Sequence, residues 1–206
     1  MPPPERLMPA HQLYLSQLAL YLRDSQLIDA LWALYTHEHC DPATGQPDDA
    51  VAYSHRQTQR DADLLSAFGP VYYHADTLLE AAQQQLDQLP DGEPKQHFTG
   101  QLRQLHTSTQ QLYAVRHRWI HRRSALPDGP GEGAHEALLA ASYAEARPYL
   151  ARWADQGHVV LDVHALAQQS GGRSASMTAG RENQLKAAPA TPPPAPRAAP
   201  PSSRAR

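Results

Sequence analysis

The chain is short of cysteine, lysine and β-branched residues, and each shortage removes a class of answers. One cysteine, Cys40, in 206 residues leaves no partner for an intramolecular disulfide and no thiolate set for a Cys-based zinc finger. Two isoleucines, six valines and two phenylalanines make a sheet core implausible, because strands draw on β-branched and aromatic side chains. No run of about 18 apolar residues occurs, so no membrane span is expected. The N-terminus lacks a basic segment followed by an unbroken apolar one, so a cytoplasmic rather than secreted protein is expected. There is no Walker A loop, no dinucleotide-binding glycine turn and no HExxH motif, and Gly129-Pro130-Gly131-Glu132-Gly133 is too broken by proline to cradle a phosphate.

What the chain does have is leucine and alanine, 25 and 33 residues, which enter helices at little cost. It also has 16 arginines against two lysines, an excess that fits the codon usage of a GC-rich bacterial genome. Selection for bidentate anion contacts would require those arginines to be clustered. The net charge of −3 divides unevenly: residues 1–170 carry 12 basic and 20 acidic side chains, net −8, whereas 171–206 carry six and one, net +5. Seven of the 19 prolines fall between Pro189 and Pro201. Such a tract buries too little apolar surface to offset its ordering entropy. The expected organisation is therefore a disordered N-terminus over 1–9, a helical bundle domain over 10–170 and a disordered, basic, Pro/Ala-rich tail over 171–206.

Within the domain the periodicity predicts four long helices and a short fifth, an all-α antiparallel four-helix bundle. The first helix runs from about His11 to His39. Leu13, Leu20, Leu27 and Leu34 recur every seven residues, as do Tyr14, Tyr21, Ile28 and Tyr35, and at ~100° per residue the two columns are neighbours. A helix apolar around most of its circumference is either central in its bundle or covered by a second chain, in coiled-coil fashion. The second carries Leu64, Phe68, Val71, Ala75, Leu79, Ala82, Leu86 and Leu89, and Gly69-Pro70 predicts a kink or split there. The third starts near Pro94 with Phe98, Leu102, Leu105, Leu112 and Trp119 in register. The fourth covers roughly Gly133 to Gln156, with Gly157 suited to its C-terminal cap. The run from Val159 to Val163 reads as a short helix beginning near Asp162, since no partner strand exists for it.

Four groups of residues invite a chemical reading. Arg116, Arg118, Arg122 and Arg123 form the densest basic run, which suits a helix C-terminus or, with the basic tail, a nucleic-acid contact through Arg118, Arg122 and Arg123. His117 and His121 have the i, i+4 spacing that chelates one cation. With His39 as a third ligand they resemble the DinB-like bundles, and that resemblance implies a divalent metal held by three histidines. Asp24 and Arg116 fall on apolar stripes, which requires each to be paired, the other being one candidate partner, because an unpaired buried charge costs several kcal/mol. Tyr73 points away from its stripe and so is expected at the surface. No nucleophile, base and acid set is evident, and no cofactor is expected. The leading expectation is a non-catalytic helical protein acting through protein–protein contacts, with a protein partner or a second copy. The alternatives are a nucleic-acid-associated accessory protein and the metal-dependent bundle enzyme.

Overall fold

A computed structural model describes residues 10–126 and 131–170. The expectations of disorder over 1–9 and 171–206, and of a basic tail, concern residues outside these. Every element among the described residues is helical: α1 (Ala10–His39), α2 (Ala50–Tyr72), α3 (Ala75–Asp87), α4 (Glu93–Ser124) and α5 (Glu132–Gln156), followed after the single turn residue Gly157 by a sixth helical stretch over 158–170. The chain divides into two units, Met1–Gln168 and Gln169–Arg206, and the account below concerns the first. No helix among the described residues is long and apolar enough to cross a membrane.

Local chemistry accounts for the boundaries. The loop between α1 and α2 folds on Asp41, whose carboxylate accepts from the backbone N–H of Ala43 and Thr44, and on Gly45, the one described residue with a left-handed φ (67°). Asp49 caps α2, accepting from the N–H groups of Val51 and Ala52. Pro94 occupies the first turn of α4, where its missing donor costs nothing.

The second predicted helix is split, but not at Gly69-Pro70. Pro70 lies inside α2 on its exposed side, and the break comes at Tyr73-His74. The predicted stripe nevertheless continues through the interruption: Leu64, Phe68, Val71, Ala75, Leu79, Ala82 and Leu86 are buried, and Leu89 at its end is half-buried. A buried face therefore continues from α2 into α3 although the helix is interrupted between them.

The core joins that stripe to Leu102, Leu105, Leu112 and Val115 of α4, to Ala146, Leu150 and Trp153 of α5, and to Leu15, Leu18 and Tyr21 of α1. Helix α5 packs on α4, α2 and α1, and α1 rests mainly on α2. Trp153 is its centre: its Nε1 donates to Thr109 Oγ1 at 3.2 Å, and its ring lies 5.4 Å from that of Phe68. Tyr21 donates to the Leu150 carbonyl at 2.7 Å, which ties α1 to α5.

Gly157 is the C-cap of α5, as its position suggested, and its N–H donates to the Trp153 carbonyl at 2.8 Å. Its φ of −59° is open to any residue. An added Cβ would stand 2.5 Å from the Trp153 carbonyl oxygen of α5 itself and 3.1 Å from Leu22 Cδ2 of α1, so the glycine avoids a clash with the end of α5 first and lets α1 approach second. Beyond it, residues 158–170 begin their helix four residues earlier than expected and bury Val159, Val160 and Val163. His164 holds this stretch to α3 and α1: its Nδ1 is 3.1 Å from Gln85 Nε2, and its Nε2 is 3.4 Å from Gln12 Nε2.

Candidate functional site

The widely apolar circumference of α1 is not explained by a central position. Its inward side buries Leu15, Leu18, Tyr21 and Ser25. Its outward side leaves Leu13, Leu20, Leu27, Leu31 and Leu34 between 46 and 60 % exposed. The four leucines of the seven-residue column thus stand in a row on the surface, over a rise of about 32 Å at 1.5 Å per residue. Small residues, Ala19, Ala30 and Ala33, are exposed beside them. Isolated exposed leucines are ordinary on a protein surface, whereas a contiguous row is a candidate contact surface.

Asp24 and Arg116 do not meet. Asp24 sits half-buried beside the leucine row and pairs with its neighbour Arg23 at 2.9 Å. Arg116 is exposed; it donates to Tyr73 Oη at 3.4 Å, and its guanidinium carbon lies 5.1 and 5.5 Å from the ring centroids of Tyr72 and Tyr73. Both contacts are local: the short Asp24 is met by the longer Arg23 beside it, and the long stem of Arg116 carries its guanidinium out to the rim. The two aromatic rings carry Arg116 to the surface. Tyr73 is indeed exposed, at 69 %. Burial pushes the Tyr72 phenol above its usual range, so it stays neutral beside the cation.

The rest of the basic run is occupied within the chain. Arg118 and Arg122 share Glu145 of α5, at 2.5 and 3.7 Å, and Arg123 lies 5.2 Å over the Trp119 ring. The Arg118 and Arg122 contacts join α4 to α5 at the C-terminal end of α4, a structural use for charges that the sequence left solvent-facing.

The three histidines of the metal reading are not brought together. His117 and His121 stack edge-on with centroids 4.5 Å apart on the exposed face of α4, and His39 packs on Tyr35 at the end of α1. No three His, Cys, Asp or Glu residues converge as a metal site among the described residues. The helical spacing of His117 and His121 is real, but the face that carries it turns outward, whereas a bundle metal site needs inward ligands.

The most buried polar residues escaped the sequence reading. Asp61 is 2 % exposed, with Arg60 4.0 Å from one carboxylate oxygen; burial pushes its carboxyl above the usual range, and Arg147 and Arg60 oppose that rise. Ser108 and Thr109 lie under the α4–α5 contact, bonded back to the carbonyls of Gln104 and Leu105. The signal was available: Asp61 precedes Leu64 and Phe68 at helical spacing, and Ser108 and Thr109 lie between Leu105 and Leu112. Burial lowers the His164 imidazole below its usual range, and His11, 5.3 Å away ring to ring, adds to it.

Compared with protein-family models, with curated proteins and with solved structures, the chain matches none. The functional reading therefore rests on its own geometry.

Proposed function

We propose that this chain is a non-catalytic interaction protein, an antiparallel four-helix arrangement of α1, α2 with α3, α4 and α5, that docks through the outer face of α1 on a second copy of itself. The observation that carries it is the exposed column Leu13, Leu20, Leu27 and Leu34. The short connections between successive helices support the antiparallel arrangement. Self-association is supported by the symmetry of the column. Its midpoint falls between Arg23 and Asp24, so two α1 helices laid antiparallel set Leu13 against Leu34, Leu20 against Leu27, and Arg23 against Asp24. Each contact then occurs twice, as a two-fold interface requires. A parallel pair would instead oppose Asp24 to Asp24 and lose that charge match.

The test is the mass of the purified full chain by light scattering over a range of concentrations. The expected mass is twice the 22.7 kDa of one chain. The double variant Leu20→Ser, Leu27→Ser should halve it without loss of helical circular dichroism, because both side chains are already solvent-facing in the single chain. A strictly monomeric mass at high concentration overturns the reading. Retention of the chain on DNA or RNA that weakens steeply with salt would favour nucleic-acid association instead. Arg118 and Arg122, already paired with Glu145, weigh against that outcome.

A further inference from the structure

We propose that the groove between α2, α4 and α5 is a binding site for a small aromatic carboxylate, with Arg116 as the group that recognises its charge. The groove is independent of the assembly reading, since no residue of α1 lines it. Its volume is about 350 Å³, inside the range of roughly 300–1,000 Å³ typical of small-molecule sites. Leu112 and Val115, both buried, contribute to an apolar lining, and Tyr72, Tyr73, Trp119 and Tyr143 add four aromatic side chains. Aromatic rings favour offset or edge contacts with a planar apolar body, which selects an aromatic ligand over a compact polar one.

Among the described residues, Arg116 is the only charged one lining this groove. Unlike Arg118 and Arg122 it pairs with no carboxylate among the described residues. Tyr72 and Tyr73 hold its guanidinium from the ring side, and the contact to Tyr73 Oη uses one of its five N–H donors. A carboxylate is the planar acceptor that matches the remaining fork.

The experiment is titration calorimetry of the full chain with three probes that share one ring system: 2-naphthoate, 2-naphthylmethanol and 2-naphthylmethylammonium. Naphthoate should bind, the alcohol about ten- to a hundredfold more weakly, as expected for loss of a charged hydrogen-bond pair, and the ammonium more weakly still. Arg116→Gln should bring naphthoate down to the affinity of the alcohol and leave the alcohol unchanged. Gly69→Leu provides a variant that keeps the fold: Gly69 lines the groove, an added Cβ there meets nothing within 4 Å, and leucine is the better helix former. It should block both probes. No heat with millimolar naphthoate, equal binding of all three probes, naphthoate affinity unmoved by Arg116→Gln, or binding unmoved by Gly69→Leu would each overturn the assignment.

Discussion

The two seven-residue columns of α1 are neighbours on one helix, yet they have opposite fates. Tyr21 is buried and hydrogen-bonded to α5, and Tyr14, Ile28 and Tyr35 are at least half-covered, whereas Leu13, Leu20, Leu27 and Leu34 stand exposed. The difference teaches that spacing identifies a face and says nothing about what covers it. One column is closed by α2 and α5. The other is closed only if a second chain supplies the missing surface.

That contrast is most severely tested by trimming a leucine on each side. Leu18→Ala, at a fully buried site, should cost about 2–5 kcal/mol through lost transfer energy and a residual cavity. Leu20→Ala, two residues on, should change the stability of the dissociated chain by no more than about 0.5 kcal/mol. Chemical denaturation at a concentration where the chain is monomeric measures both, and equal losses would erase the distinction between the faces. Gly157→Ala comes next: overpacking against Leu22, Leu18 and the Trp153 carbonyl should cost about 1–3 kcal/mol, although alanine is ordinarily the better helix residue. A stabilised variant would show that α1 does not press on this turn. Tyr21→Phe keeps the packing and removes the donor to Leu150, for a loss of about 1 kcal/mol in the same assay.

The smallest effects are those of pH, and they run in opposite directions. Asp61 has a folded-state pKa above its ordinary 3.8, so the folded chain takes up the proton first. Its contribution therefore worsens as pH rises through that window. Asp61→Asn should melt no lower than the parent at neutral pH, with the advantage fading towards pH 4. His164 is the reverse case: its pKa is held below 6.5, so the folded chain resists protonation and stability is lost as pH falls through and below that value. Faster amide exchange at Val159, Val160 and Val163 on mild acidification, absent in His164→Gln, is the expected outcome; pH-independent exchange in the parent would refute it.

Much of the fold could be read along the chain because burial repeats with helical period. The stripe from Leu64 to Leu86 and the residues Leu102, Leu105 and Leu112 are buried as their spacing predicted. The Gly69-Pro70 break was misplaced because a proline on the exposed side of a well-buried helix loses one hydrogen bond and no packing. The candidate site was less legible. Asp24 and Arg116 were expected partly inside the bundle, but Arg116 is exposed, and what they meet is a sequence neighbour in one case and two tyrosines in the other. Arg118, Arg122 and Glu145 lie on separate helices, and nothing local predicts that they meet.

By itself, the sequence determined the all-helical character of this protein, the approximate span of each helix and the faces they bury. These follow from backbone propensity and 3.6-residue periodicity, which act between near neighbours. Only the tertiary structure decided that α1 lies at the edge with a leucine row outward, that Gly157 is a point of close approach, and that Arg116 crowns an apolar groove. Each of those depends on which helices pack together, and such contacts join residues whose distance along the chain carries no signal.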